Sequence, residues 1–178
     1  MKEPEILKSH YSISWKAVRF TLIIILAAFS GAGVCDTMAT LSVQVEGRSP
    51  VIFGPAEFAT LPRQTLRARD HRGMELTFGG VLLRELLIRA GAPLGEGLAK
   101  ADLTNIIQVT GVDGYRVVFS LAELDLGYGA QPVLVADEVA GLRLKPEHGP
   151  WRLVVPGDRR HGRWMRQVKR IEVRRLPE

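Results

Sequence analysis

Gly149-Pro150-Trp151-Arg152-Leu153-Val154-Val155-Pro156-Gly157 is a short apolar run fenced by turn residues. Gly-Pro precedes it and Pro-Gly follows it, so Leu153 to Val155 reads as a buried strand with a sharp entry and exit. The strand opens on an arginine and feeds a tail, Asp158 to Arg175, that sets many arginines around one tryptophan, Trp164. That layout holds guanidinium groups at a strand end, where they can grip an anion. Arg152 stands between Trp151 and the apolar run, where an unpaired charge is costly. It must find a carboxylate, reach the surface, or meet the anion of a ligand.

The charge of the whole chain leans the same way. Residues 152–178 hold nine basic and three acidic side chains, whereas residues 36–151 sum to −3 within a formal total of +5. A local positive field at the C-terminal end favours phosphates, other oxyanions or an acidic partner surface over neutral ligands. Nucleic acid does not fit, because the basic region lacks interleaved stacking aromatics and the chain carries an export signature. That signature is Phe20 to Phe29, apolar throughout, preceded by Lys16 and Arg19 and followed by Ser30-Gly31-Ala32-Gly33. It reads as a secretory signal peptide over residues 1–35, which makes the protein periplasmic or secreted. The uncharged run from Phe20 to Cys35 is 16 residues, slightly short of a membrane span. If it is retained as an N-terminal anchor, the folded part still lies outside the cytoplasm. Cys35 is the single cysteine, so no intrachain disulfide forms and a cleaved chain carries no thiol.

The segment between these ends alternates short strands with a few short helices. Leu41 to Val45, Val51 to Phe53, Gln64 to Arg69 and Met74 to Phe78 read as strands, with a helical turn opening at Pro55. Val81 to Ala90 reads as a helix whose stripe is Leu82, Leu83, Leu86 and Leu87, stopping at Gly91. Ile106 to Val109 and Tyr115 to Phe119 flank a Val112-Asp113-Gly114 turn, and Ser120 to Glu123 carries capping-box spacing. Val133 to Ala136 is a continuous apolar run suited to a central strand, and Val168 to Val173 is the last strand. Short strands, two or three short helices and no repeat give an α+β domain.

Phosphate-loop, dinucleotide and nucleophile-elbow signatures are absent. The histidines show no metal-ligand spacing; His71 and His161 are polar loop residues that can also meet in space. Asp113 and Tyr115 either build the turn and start the strand or offer a carboxylate and a phenol to a pocket. Arg67 and Arg69 share one strand face, which is either a polar sheet surface or a second hand on the anion of Arg152. Arg163, Trp164 and Arg166 form an anion clasp with an aromatic wall, or a surface loop.

Taken in order, several segments resemble a known family. Phe78-Gly79-Gly80-Val81-Leu82-Leu83-Arg84-Glu85-Leu86-Leu87, then Asp113-Gly114-Tyr115, then Val133 to Ala136 with Gly141-Leu142-Arg143-Leu144, and finally Gly149 to Gly157 are similar to successive elements of the sulfite-oxidase-type molybdopterin-binding domain. The likeness spans most of residues 40–175, and the domain is placed at 40–176. It implies a sulfite-oxidase-like α+β fold of mixed sheets and a molybdopterin cofactor. The family's enzymes place a cysteine thiolate on molybdenum from an early strand; by strand position that site falls at Ala68, and alanine offers no ligand. A cofactor-facing lysine and the tryptophan after it are replaced by Arg166 and Gln167. The resemblance therefore implies a protein that binds a pterin-type molybdenum cofactor, or another anionic small molecule, without catalysis of its own. Arg67, Arg69, Arg152 and Arg166 would build its basic pocket, with His71, Asp113, Tyr115 and Arg163 as further candidates. Two alternatives stand beside it: an oxidoreductase whose molybdenum has only non-protein ligands, and a periplasmic interaction module that has lost the cofactor.

Overall fold

Leu41-Ser42-Val43-Gln44-Val45 alternates buried and half-exposed side chains in the computed structural model, which describes residues 39–176. This first strand, β1 (Leu41–Val45), pairs antiparallel with β2 (Val51–Phe53) and parallel with the last strand, β10 (Val168–Arg175). On its other side β10 pairs with β5 (Asn105–Gly111), and β5 pairs with β6 (Arg116–Ser120), completing a five-stranded sheet in the order β2-β1-β10-β5-β6. The second sheet runs β3 (Arg63–Arg69), β4 (Glu75–Leu82), β7 (Leu134–Val139) and β8 (Leu142–Arg143). The short β9 (Arg152–Val154) adds to β7 beside β8. Apolar faces of both sheets, with Trp151 and the buried face of the helix α2 (Leu83–Arg89), share one core. This is the α+β architecture of mixed short strands that the sequence predicts. No helix among the described residues is long and apolar enough to cross a membrane. The expected signal or anchor at 1–35 lies outside the described residues.

Each strand read from alternation is present, and Leu134, Val135 and Ala136 sit fully buried at the centre of the second sheet. The helix differs at its start: Val81 and Leu82 belong to β4, and α2 begins at Leu83. Gly79-Gly80 does not break the strand, because a side chain is what that crossing cannot hold. A Cβ on Gly80 would fall 2.2 Å from the Val135 carbonyl oxygen and 2.6 Å from Ala136 Cα. The ladder between β4 and β7 shifts there, pairing Gly79 with Glu138 and Gly80 with Ala136, so that Asp137 is the extra residue of a bulge. Its carboxylate reaches two strands across to Arg63, accepting from both terminal nitrogens at 3.1 and 2.8 Å. The capping spacing at 120–123 is half realised: Glu123 accepts from the Ser120 N–H at 3.0 Å, but the Ser120 hydroxyl takes the N–H of Ala122 instead of Glu123. The turn after β7 uses Ala140 and Gly141, both at positive φ, to close a two-residue hairpin onto β8.

Candidate functional site

Arg152 opens β9 opposite Ala136, and this register carries its guanidinium under the core's aromatic rim. Its Cζ lies 5.6 Å from the ring centres of both Phe78 and Trp164, which meet edge to face at 5.7 Å. Cation–π contact covers part of the charge, yet Nε is buried with no hydrogen-bond partner. Among the described residues no carboxylate lies within ion-pairing reach of it. Arg152 instead lines a groove of about 440 Å³ with Asp70, His71, Lys145, His148 and Arg166. Burial, then the charge of Arg166, holds the Arg152 pKa below the ordinary arginine value, with Asp70 opposing. One Asp70 oxygen accepts from the N–H groups of Arg72 and Met74, both at 2.9 Å, and no side-chain bond joins Asp70 to Arg152 among the described residues.

His148 shares this predicament. Its Nδ1 is buried and unpartnered. Burial, followed by the charges of Arg166 and Arg152, depresses its pKa, with Glu147 opposing and Lys145 adding to the depression. The loop carrying Arg166 is fastened over the 145–148 turn: the Gln167 side-chain amide donates to the Pro146 carbonyl at 3.0 Å and its backbone N–H to the His148 carbonyl at 3.3 Å. Two half-buried side chains, Arg152 and His148, each with one buried nitrogen left unpartnered, thus converge with Arg166 in a groove where Arg72 and Lys145 add positive charge and Asp70 and Glu147 oppose it. Such a constellation is completed by an anion.

Arg67 and Arg69 lie elsewhere. Together with Ala68, Arg159 and His161 they line a second groove, of about 460 Å³, between the end of β3 and the 156–161 loop. The single basic pocket expected from Arg67, Arg69, Arg152 and Arg166 is therefore two grooves. A stack runs from one to the other: the His161 ring meets Trp164 edge-on at 4.5 Å, and Trp164 lies against Arg152. His161 Nε2 also bonds the Arg69 carbonyl at 2.8 Å, whereas His71 belongs to the Arg152 groove. The two histidines thus line different grooves.

Asp113, Tyr115 and Arg163 line neither groove. Asp113 accepts from the Tyr115 N–H at 2.9 Å and closes its turn. The Tyr115 hydroxyl donates to the Gly162 carbonyl at 2.9 Å. Arg163 grips Asp158 with two nitrogens, at 2.9 and 2.6 Å, and Glu123 with a third at 3.3 Å, its Cζ 4.4 Å above the Phe119 ring. Hydrogen bonding to Asp158 raises its pKa despite partial burial. Tyr115 and Arg163 hold the 156–164 loop in place, and Asp113 serves only its own turn. Sequence reasoning did not single out His148 or Lys145; the only local signal is that His148 abuts the Gly149-Pro150 turn ahead of Arg152.

The model of the oxidoreductase molybdopterin-binding domain family matches residues 54–178. The chain belongs to that family. Its fold is similar to that of the sulfane dehydrogenase SoxCD from Paracoccus pantotrophus, with a TM-score of 0.59 and 19% sequence identity over 75% of this chain. The chain spans 37% of the length of that structure's chain. Among curated proteins none matches the sequence. The family's cofactor is molybdopterin, which ends in a phosphate, and the unpartnered Arg152 Nε and His148 Nδ1 beside Arg166 fit that anionic end. The metal end fits less well. Residues 39–176 contain no cysteine, Ala68 is a buried methyl group, and among the described residues no group of three or more His, Cys, Asp or Glu side chains is placed to hold a metal ion.

Proposed function

We propose that this domain is an exported molybdopterin binder that holds its ligand by the anionic end and leaves the metal without a protein ligand, so that it binds the cofactor without turning over a substrate. The unpartnered Nε of Arg152, buried at the floor of a basic groove, carries the reading. A charge in that position without an acceptor costs stability, and a bound phosphate offsets the cost. In this reading Arg152 and His148 donate to the anion, Arg166 covers it from the loop above, and Trp164 fixes the angle at which Arg152 is presented. What the cofactor supplies when bound is a metal-binding dithiolene; the chain's own residues bind and orient it. Absence of a thiolate at Ala68 supports carriage or sensing of the cofactor over catalysis.

The test is elemental and pterin analysis of the full chain produced in a host that makes molybdenum cofactor. The expected result is oxidised-pterin fluorescence near one per chain, with Arg152→Ala retaining a tenth or less. Loss of a charge-assisted hydrogen bond is worth roughly 1.5–3 kcal/mol, or about ten- to a hundredfold. Stoichiometric molybdenum together with turnover of a redox dye would instead make the chain an oxidoreductase with non-protein metal ligands. Neither pterin nor metal would remove the cofactor from the function altogether.

A further inference from the structure

The strand β3 is an edge of the second sheet, and its outer side is open. Its pairing with β4 runs without a bulge from Arg63↔Val81 to Arg69↔Glu75, and the Asp70 N–H continues the ladder onto the Met74 carbonyl at 2.9 Å. In an antiparallel ladder the paired residues alternate, so residues 64, 66 and 68 turn their backbone groups towards β4. Those of Arg63, Thr65, Arg67 and Arg69 turn outward. Of these outward groups, the Arg69 carbonyl is taken by His161 Nε2. Among the described residues nothing bonds the backbone of Thr65 or Arg67 on that side.

Edges of this length are usually blunted against self-association. Here the blunting is charge, and it has one sign. Arg67 and Arg69 project from the same face of β3 about 7 Å apart, as residues two apart on a strand do, and Arg159 joins them in the groove at the strand's end. Among the described residues no carboxylate lies within ion-pairing distance of any of these three guanidinium groups. Glu75, opposite Arg69 in the ladder, lines the same groove without bridging to it. A second copy of β3 laid against the edge would set arginine against arginine, which is unfavourable. An extended chain with carboxylates at alternate positions would instead meet both the open backbone and the unpaired charges.

We infer that the open edge of β3 is a docking site for an extended acidic peptide segment of a partner protein, which adds a strand beside residues 63–67 and places alternate carboxylates against Arg67, Arg69 and Arg159. Backbone hydrogen bonds supply affinity and the arginines supply choice of partner. The residues assigned to the cofactor's anionic end, Arg152, His148 and Arg166, belong to the other groove, so peptide binding and pterin retention are read out separately.

The test uses the full chain and a synthetic hexapeptide, acetyl-Thr-Glu-Val-Glu-Val-Thr-amide, with two controls. One control replaces both Glu with Lys; the other N-methylates alternate amides, which keeps charge and shape but removes one edge of backbone donors. Amide resonances of Thr65, Arg67 and Arg69 are followed by NMR with hydrogen exchange. The expected result is protection of the Thr65 and Arg67 amides by the Glu peptide, with at least tenfold weaker binding of both controls. The double variant R67E/R69E should reverse the preference between the Glu and Lys peptides while the spectrum of the core stays unchanged. Binding that is indifferent to N-methylation would show charge attraction alone and overturn the inference. So would no perturbation of the edge at millimolar Glu peptide, or pairing of β3 with a second copy in the free protein.

Discussion

Arg152 and His148 are two cationic or protonatable groups that each keep one buried nitrogen, Nε and Nδ1, without a hydrogen-bond partner. Arg152 stays charged across the accessible pH range, so the variable partner is the imidazole. Burial and the flanking Arg166 and Arg152 depress its pKa in the folded state. As pH falls through about 6.5, an unfolded imidazole takes up its proton before the folded one does. The contribution of His148 to stability is therefore complete above that pH and is lost below it, by at most about 1.4 kcal/mol per pH unit for one proton. An anion in the groove offsets the flanking positive charges and favours the protonated imidazole. Thermal unfolding between pH 5 and 8, with and without phosphate, should show the ligand-free protein losing stability on the acid side and phosphate binding tighter there. His148→Gln should flatten both trends. Asp70, His71, Arg72, Lys145 and Glu147 line the groove with His148, so His71→Gln, a second imidazole removed from the same groove, is the matched control. If that control flattens the trends instead, the proton is on the wrong histidine. Arg152 was legible in the sequence because an arginine abutting an apolar strand must answer for its charge. His148 was not, because its burial depends on the Arg166 loop folding back over it.

At the scale of elements, the glycine pair in β4 explains both a success and an error of sequence reading. The alternation that marks strands is visible wherever one face is buried, so β1, β3, β5 and β6 follow from the pattern. Gly79-Gly80 reads as punctuation before a helix, whereas it is a crossing. At Gly80 the backbone of β7 occupies the volume of a methyl group, and only coordinates show that. The two neighbours should respond very differently to the same substitution. Gly80→Ala must push β4 and β7 apart at the middle of the sheet, since the clash is with backbone; a loss of about 3 kcal/mol or more is expected. At Gly79 the nearest atom is the far end of a side chain, Glu138 Oε2 at 2.9 Å, which can swing away. Gly79→Ala should cost about 1 kcal/mol or less, most of it from weakening the contact of Glu138 with Arg63 at 3.1 Å. Urea unfolding of both variants checks the contrast, and similar losses for the two would refute the crossing as the reason for the pair.

Over the whole molecule, the 156–164 loop ties the two sheets together and serves both grooves. Tyr115, leading into β6 of the first sheet, fastens it through the Gly162 carbonyl, and Arg163 fastens it through Asp158 and Glu123. From the second sheet, the Arg69 carbonyl holds His161, while the Trp164 indole donates to the Val155 carbonyl at 2.8 Å. The sequence announces a basic loop with one tryptophan, and from composition alone its arginines look equivalent. The fold makes them unequal: Arg163 is spent on carboxylates, Arg159 lines the β3 groove and Arg166 covers Arg152. That division could not be read from the chain, because the carboxylate that claims Arg163 from afar, Glu123, lies 40 residues away. Arg163→Met keeps the hydrophobic contact with Phe119 and removes every ion pair of the loop's anchor. Because Trp164 and Val155 remain in place, the variant should fold, with a stability loss of about 1–3 kcal/mol. Its larger effect should be on order: faster hydrogen exchange across 156–164, and several-fold weaker binding at both grooves, since one loop presents Trp164 to Arg152 and His161 to the edge of β3. Retention of pterin and binding of the acidic peptide, measured on the same preparation, separate this from a local defect. A loss at only one groove would mean that the two sites are built independently and that the loop is merely a cover.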